Sequence, residues 1–289
     1  MTSNGADGVL VLGVSGMLGN VVLRFLCAAG HSVVGTVRSQ HQLQLFAADL
    51  RPRIVAGFDI ENADALVALF ARIRPTVVVN CIGMVKQLAG AEDPMMAIPL
   101  NALLPHRLAR LCAMVNARLV HISTDCVFAG TKGGYREDDP ADAADLYGRS
   151  KYLGEVDYPH AVTLRTSIIG HELTNAHGLL GWFLAQHGTV RGYTRAIFSG
   201  LPTVELARII REHVMSHPQL HGVYHVSAAP IAKYELLHVV REVYNKPIEI
   251  QADDSLVIDR SLDSSRFRRL TGYVPPSWPE LIRAMHRFG

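Results

Sequence analysis

The chain of 289 residues is 49% hydrophobic and 19% charged, which allows a sizeable core in one large α/β unit or in two domains. Its formal net charge of +2 is too small to indicate nucleic acid or an anionic membrane as the main partner. The N-terminus has no apolar leader and no apolar run approaches the ~20 residues of a membrane span, so we expect a cytoplasmic protein.

Cysteine and histidine spacing gives no sign of a disulfide framework or a metal site. The four cysteines lie in or beside apolar runs without C-x-x-C spacing, which predicts buried, reduced thiols: Cys27, Cys81, Cys112 and Cys126. Histidines recur every fourth residue from 213 to 225, but Pro218 and Gly222 interrupt any single helix there. We therefore expect no metal.

Apolar strand-like runs alternate with helical patterns along the first part of the chain. Strands are predicted at 9–12, 33–37, 54–58, 76–79, 118–122 and 161–165, and helices after the first strand, at 63–73, within 94–115 and at 146–156. This alternation predicts an α/β fold of the Rossmann type, a doubly wound parallel sheet.

The rhythm changes after residue 165, where Pro, Gly and His become frequent. Helices remain predicted at 179–186, 204–215, 233–244 and 278–288. We expect residues 1–165 to form the doubly wound domain and residues 166–289 a smaller C-terminal region, with some of its segments returning to the sheet.

A glycine-rich turn follows the first predicted strand and leads into a helix. Gly13 would permit the tight turn, Gly16 the approach of a pyrophosphate, and Gly19 close packing of helix on strand, which is typical of dinucleotide binding. The helix N-terminus would offer N–H groups and a positive dipole end to the phosphates. The candidate cofactor contacts of this turn are Gly13, Ser15, Gly16, Met17, Leu18 and Gly19. A turn of this spacing without a ligand remains an alternative.

The residues after the second and third strands bear on which nucleotide binds. An acid after the second strand would indicate NAD, whereas Arg38 stands there and could contact a 2′-phosphate, which favours NADP(H) over NAD(H). Arg38 could instead be merely solvated. Asp59, with Ile60 beside it, could accept from the adenine amino group or could cap the turn before Asn62.

Two polar groups carry the candidate chemistry. Tyr147 and Lys151 are four residues apart and share one helix face, where the ammonium would lower the phenol pKa and prepare proton transfer to or from a carbonyl oxygen. Ser123 and Thr124 follow the fifth strand at the edge where α/β sites open, so a hydroxyl there could bind the reacting oxygen. An ordinary surface pair and a plain polar turn are the alternatives.

These motifs together resemble the extended short-chain dehydrogenase/reductases and, within them, the dTDP-4-dehydrorhamnose reductase group. The resemblance covers roughly residues 8–270 and is strongest in the first 170. It rests on the three glycines, Val-Asn-Cys-Ile-Gly at 79–83, Ser-Thr-Asp-Cys-Val-Phe-Ala-Gly at 123–130, Tyr-x-Glu at 135–137, Tyr-Gly-Arg-Ser-Lys-x-x-Gly-Glu at 147–155 and Leu-Arg-Thr-Ser at 164–167.

The resemblance implies roles for individual residues. It implies a catalytic triad of Thr124, Tyr147 as proton donor, and Lys151, the last two also contacting the cofactor. Further cofactor contacts would be Asn80, Cys81, Ile82 and Gly83. Substrate contacts would come from Lys86, Ser123, Thr124 and Cys126, with Arg165, Arg195 and Arg260 as candidates for the diphosphate or for structural salt bridges. Cys126 and Ile168 depart from the Tyr and Trp that are usual in the group.

The expected activity is NADPH-dependent reduction of the 4-keto group of a dTDP- or UDP-linked 4-keto-6-deoxy sugar. Cys126 replaces the glutamate that a 4,6-dehydratase carries after its aspartate, and Arg38 argues against the tightly held NAD of a 4-epimerase. A regulatory subunit that binds NADP without turnover is a further alternative, against which the intact triad argues. A nucleotide sugar is the expected partner, and a homodimer is left open.

Overall fold

The computed structural model describes residues 8–84, 92–174 and 176–289. The first part of the chain contains, in order, β1 (Gly8–Leu12), α1 (Met17–Ala28), β2 (Ser32–Thr36), β3 (Ile54–Val55), α2 (Ala63–Ile73), β4 (Val77–Asn80), α3 (Pro94–Ala97), α4 (Leu104–Met114), β5 (Arg118–Thr124), α5 (Leu146–Leu153) and β6 (Ala161–Thr166). A π-helical stretch, Ile98–Leu103, joins α3 to α4. These elements confirm the strands and helices predicted here; β3 is shorter because Gly57 adopts a positive φ of 69°.

The second part of the chain is built from shorter elements. They are β7 (Ile168–Ile169), α6 (Leu179–Ala185), β8 (Thr189–Tyr193), β9 (Ala196–Phe198), β10 (Leu201–Pro202), α7 (Thr203–Ile209), β11 (Gly222–His225), β12 (Ile231–Ala232), α8 (Lys233–Val243), β13 (Glu249–Asp253), β14 (Ile258–Asp259), α9 (Ser265–Thr271) and α10 (Trp278–Phe288). The four predicted helices are confirmed, and a π-helical segment at Ile210–Val214 extends α7.

Seven parallel strands form the main sheet, in the order β11-β6-β5-β4-β1-β2-β3. The chain therefore has the predicted Rossmann-type doubly wound sheet. The strand order reverses between β1 and β4, and the crevice beyond the carboxyl ends of these strands is where such sheets bind nucleotides.

Both faces of the sheet are covered, as a parallel sheet requires. Val9 and Val11 belong to one apolar cluster, which includes residues of α1, α7 and α10. Leu10 and Leu12 belong to a second cluster with residues of α2 and α4.

The second part of the chain contributes β11 to the main sheet, where β11 pairs with β6 in a register that sets His225 beside Arg165. Its remaining strands form three small sheets, β10-β7, β12-β9-β14 and β13-β8. None of the helices in the described residues is long and apolar enough to cross a membrane. The four cysteines all lie in the described residues and none forms a disulfide.

Candidate active site

The glycine-rich turn between β1 and α1 leaves no room for a side chain at Gly13 or Gly19. Gly13 has a φ of 82°, and its carbonyl accepts a hydrogen bond from the Gly16 backbone nitrogen at 3.1 Å. A Cβ on Gly19 would lie 2.3 Å from the Gly13 carbonyl oxygen. The Thr36 hydroxyl at the end of β2 accepts from the Gly13 backbone nitrogen at 3.2 Å, which ties the turn to the neighbouring strand.

The N-terminus of α1 fits an anionic group. Gly16 is its N-cap residue; no side chain caps this end, and the first turn holds no acid. The N–H groups of the first turn, from Met17 onward, therefore remain available to a phosphate and carry the positive end of the helix dipole. Leu18 is buried, so its contribution to such a site comes from its backbone, whereas Ser15 is half-buried in the turn itself.

The predicted nucleotide-specificity residues lie beyond the carboxyl ends of β2 and β3. Arg38 is exposed two residues after β2. Asp59 is exposed, and its carboxylate accepts from the Glu61 backbone nitrogen at 3.0 Å, so it caps a turn. Ile60 is half-buried beside it. The contacts of Arg38, Asp59 and Ile60 with a cofactor stay predictions.

The segment after β4 lies beside the catalytic lysine. Asn80 is fully buried; its side-chain oxygen accepts from the Ile82 backbone nitrogen at 3.1 Å, and its amide lies 3.1 Å from His121 Nδ1. A Cβ built on Gly83 would lie 3.7 Å from Lys151 Nζ. Desolvation raises the pKa of the Cys81 thiol to about 12, so this thiol is neutral. Lys86 lies outside the described residues.

The three predicted catalytic residues come together where β5 ends. The Thr124 side chain is close enough to the Tyr147 phenol to lower its pKa, and the Thr124 hydroxyl donates to Asp125 Oδ1 at 3.2 Å. Lys151, one turn further along α5, donates from Nζ to the Ile122 carbonyl at 2.7 Å. Close packing of α5 depends on Gly148, where a Cβ would lie 2.3 Å from the Cys126 carbonyl oxygen.

The protonation states at this site suit proton donation, although not for the predicted reason. Burial raises the pKa of Tyr147 above its ordinary value, and the nearby Cys126 and Asp125 raise it further. The expected lowering by Lys151 is therefore outweighed, and the phenol is neutral. Burial lowers the pKa of Lys151 to about 8, against the opposing effect of Glu155, so the amine is still ~90% protonated near pH 7.

Two predicted substrate contacts are engaged inside the protein. Arg165 Nε and Nη2 both donate to the Glu155 carboxylate at 2.7 Å, and both side chains are 5% exposed. The Ser123 hydroxyl donates to the same carboxylate at 2.7 Å. The expectation that Arg165 holds the substrate diphosphate is corrected, because its guanidinium belongs to a buried ion pair.

The other two arginine candidates lie in the C-terminal region. Arg260 reaches the catalytic loop: Nε donates to the Phe128 carbonyl at 2.7 Å and Nη1 to Cys126 Sγ at 3.9 Å. Arg195 is exposed on the connection between β8 and β9. Arg260 therefore lies beside Cys126. Cys126 in turn is close enough to Tyr147 to raise the pKa of its phenol.

Several residues of the site went unnoticed in the sequence. Asn101, within the π-helical stretch, accepts from the Met84 backbone nitrogen at 2.8 Å and donates to Ser150 Oγ at 3.1 Å. The feature that could have identified Asn101 in the sequence is a buried polar residue in a helix between Pro99 and Pro105. Lys233, at the start of α8, acts electrostatically on Asp125, and only the tertiary fold brings these two together.

Comparison with known proteins places this geometry in a family. The family described as "RmlD substrate binding domain" matches residues 7–286. A crystal structure of dTDP-4-dehydrorhamnose reductase from Bacillus anthracis, in complex with NADP, has a TM-score of 0.78 at 21% identity, covering 98% of this chain and 99% of that one.

Curated relatives carry several different names. A dTDP-4-dehydrorhamnose reductase of Mycolicibacterium smegmatis is 32% identical over 56% of this chain and 46% of its own length. The spore coat polysaccharide biosynthesis protein SpsK of Bacillus subtilis is 30% identical over 81% of this chain and 78% of its own length. The methionine adenosyltransferase 2 subunit beta of Xenopus tropicalis is 26% identical over 82% and 72%, respectively.

The matches to the curated relatives are much shorter than the match to the family. The match spans about half the length of the first curated relatives, 46%, 57% and 43% of the first three. The family match, in contrast, runs through nearly the whole chain and includes the glycine-rich turn, Thr124, Tyr147 and Lys151. The chain is a member of the RmlD substrate binding domain family.

Proposed function

We propose that this chain is an NADPH-dependent oxidoreductase that reduces the 4-keto group of a nucleotide-linked 4-keto-6-deoxy sugar. The observation that carries the proposal is the closeness of Thr124, at the end of β5, to the Tyr147 phenol, with Lys151 one turn away on α5. The reductase names among the relatives support the same reaction class.

The residues around the switch point fit a dinucleotide. Gly13, Gly16 and Gly19 add no side chains of their own to the turn, and the uncapped end of α1 would complement the charge of a pyrophosphate. Arg38 would contact a 2′-phosphate, and the NADP complex of the B. anthracis reductase agrees with that choice. The cofactor supplies the hydride that reduces the carbonyl carbon.

Tyr147 and its neighbours would handle the proton. A neutral phenol can give its proton to the carbonyl oxygen as negative charge develops there, while Thr124 holds that oxygen by a hydrogen bond. The ammonium of Lys151 would stabilise the phenolate that remains. Because burial disfavours this phenolate, Tyr147 regains a proton before the next turnover.

The substrate diphosphate would face the C-terminal region. Arg260 and Lys233 both act electrostatically on Asp125, next to Thr124, so positive charge lies close to the reacting groups. Arg195, exposed before β9, is a third candidate contact. Cys126 and Ser123 would border the sugar, although Ser123 already donates to Glu155.

The test is a titration of the protein with NADPH and NADH, followed by a panel of dTDP- and UDP-linked 4-keto-6-deoxy hexoses with oxidation read at the nicotinamide absorbance band. We expect one panel member to be reduced. Tyr147→Phe should slow the reaction by about 10²- to 10⁴-fold, whereas Tyr152→Phe, at an exposed tyrosine on the same helix, should leave it unchanged. Turnover retained in Tyr147→Phe would contradict the mechanism.

The second candidate is a regulatory subunit that binds NADP without turnover. The similarity to a protein named methionine adenosyltransferase 2 subunit beta, over 82% of this chain, supports the part of this proposal in which the chain is a subunit of an assembly. Tight NADPH binding with no oxidation across the panel is the result expected for this role. The closeness of Thr124 to the Tyr147 phenol, with Lys151 one turn away, favours the reductase.

A further inference from the structure

A buried carboxylate at the end of the catalytic helix has three hydrogen bonds and no place in the mechanism above. Glu155 lies two residues beyond α5 and accepts from Ser123 Oγ, Arg165 Nε and Arg165 Nη2, each at 2.7 Å. Burying such a pair costs hydration that the attraction between its charges scarcely recovers, so fold stability alone is a weak reason for it. Its location beside the catalytic residues points to another role.

Glu155 and Lys151 hold α5 against two consecutive residues of β5. Lys151 Nζ donates to the carbonyl of Ile122, and Glu155 accepts from the hydroxyl of Ser123. The next residue of the strand is Thr124. Two contacts, one helical turn apart, prevent the helix from sliding along the strand and therefore fix Tyr147 relative to Thr124.

The far side of the ion pair is anchored as well. Arg165 and His225 are neighbours across β6 and β11, and Arg165 Nη1 lies 3.2 Å from His225 Nε2. Since a guanidinium can only donate, His225 Nε2 accepts and Nδ1 donates to the Tyr135 carbonyl at 2.9 Å. The guanidinium is held from both sides, and the Glu155 carboxylate is held with it.

The charges around Lys151 complete the argument. Among the described residues, two titratable groups act on the Lys151 ammonium: the Glu155 carboxylate, which lies beyond the end of α5, and the Cys81 thiol after β4. Lys151 itself acts on a third group, the imidazole of His121 on β5. Desolvation keeps both Cys81 and His121 neutral. Glu155 is thus the negative charge that compensates the buried ammonium.

We propose that Glu155 is a positioning residue for the catalytic pair: it fixes α5 on the end of β5 and keeps a compensating carboxylate near the Lys151 ammonium. Its importance for turnover rests on the proposed function, because that function gives Lys151 its role. The charge of Lys151 can nevertheless be measured without any substrate.

The experiment is an NMR titration of protein labelled with ¹³C at the lysine ε-carbon. The chain has only five lysines, and the signal missing from Lys151→Met assigns the one of interest: Lys86, Lys132, Lys151, Lys233 and Lys246. In the parent protein we expect Lys151 to titrate at about pH 8. In Glu155→Met/Arg165→Met, which removes both members of the ion pair, we expect a midpoint about one pH unit lower.

A matched control is available in α7. Arg208 binds Glu205 in the same two-contact geometry, at 2.9 and 2.7 Å, so Glu205→Met/Arg208→Met removes a comparable ion pair elsewhere. Its Lys151 midpoint should equal that of the parent. Glu155→Gln, which keeps the shape of the side chain, is the second test variant and should also lower the midpoint, so the proposal stays testable if the double variant does not fold.

The outcomes separate this proposal from the proposed function. An unchanged Lys151 midpoint in the folded Glu155 variants, or an equal shift in the control pair, would overturn the positioning role even if the parent reduces a sugar nucleotide. A midpoint lowered only in the Glu155 variants supports it even if no panel substrate is found. Where turnover is measurable, the alkaline limb of kcat/KM should move with the midpoint.

Discussion

His225 offers a measurable link between pH and fold stability. The residue is fully buried on β11, between Arg165 and the Tyr135 carbonyl. Burial, and then the charge of Arg165, lower its pKa from 6.5 to about 4. The folded protein therefore keeps this imidazole neutral at pH values where the unfolded chain protonates it.

The sign and size of the effect follow from linkage. Above pH 6.5 neither state binds the proton, so the contribution of His225 to the free energy of unfolding is fully present. Between pH 6.5 and about 4 only the unfolded chain binds it, so that contribution is lost as the pH falls. At ~1.4 kcal/mol per pH unit, the loss amounts to about 3 kcal/mol.

The assay is urea unfolding of the parent and His225→Gln at a series of pH values from above 6.5 to about 4. The glutamine oxygen can still accept from Arg165 but does not titrate, so the variant should lose stability less steeply on acidification. The comparison is between slopes, because the buried His121, whose pKa is also lowered, contributes equally to both proteins. His187→Gln, at an exposed site, is the control. Parallel curves for His225→Gln and the parent would refute the reasoning.

Three further substitutions test the site itself. Tyr147→Phe should reduce turnover by about 10²- to 10⁴-fold, because the proton donor is lost, and should leave the NADPH affinity measured by fluorescence titration nearly unchanged; a large loss of binding would contradict this. Arg38→Ala should raise the Kd for NADPH about tenfold and leave that for NADH unchanged, with the exposed Arg72→Ala on α2 as control. Equal loss for both nucleotides would remove the argument for NADP. Gly19→Ala places a Cβ 2.3 Å from the Gly13 carbonyl, so α1 must shift and calorimetric titration should show weaker binding of both nucleotides; unchanged affinities would contradict the role of the turn.

The elements of the main sheet could be predicted because their signals are local. A buried parallel strand is a short continuous apolar run, and α2 has both an Asn62 cap and a periodic apolar face. The predicted range 63–73 equals that of the helix. The short strands of the C-terminal region, such as β8 and β13, are stabilised by pairing with each other across 60 residues of sequence, so their own residues carry little signal.

The residues of the candidate site also differ in whether their signal is local in the sequence. Gly13, Gly19 and the Tyr147–Lys151 pair were recognisable because one turn or one helix contains the complete pattern. The assignment of Arg165 failed because its partner, Glu155, looks like any residue after a helix until β5, β6 and α5 are packed together. The pKa of Tyr147 was predicted in the wrong direction because burial, which outweighs a nearby ammonium, cannot be read from spacing.

The cationic side chains near the candidate site differ in whether a buried carboxylate cancels their charge, and this difference bears on the binding of the proposed anionic substrate. The charge of Arg165 is cancelled by Glu155 inside the fold, so it adds little to the field that a ligand meets. Arg260 and Lys233 act on Asp125, whose pKa burial raises, so the carboxyl that faces them is easier to protonate than an ordinary aspartate. A bound diphosphate would compensate these two cations and would raise the pKa of Asp125 further, because it would cancel the charges that lower it. In the proposed reaction, positive charge on the substrate side would attract the diphosphate, while the neutral Tyr147 would keep its proton for the carbonyl oxygen.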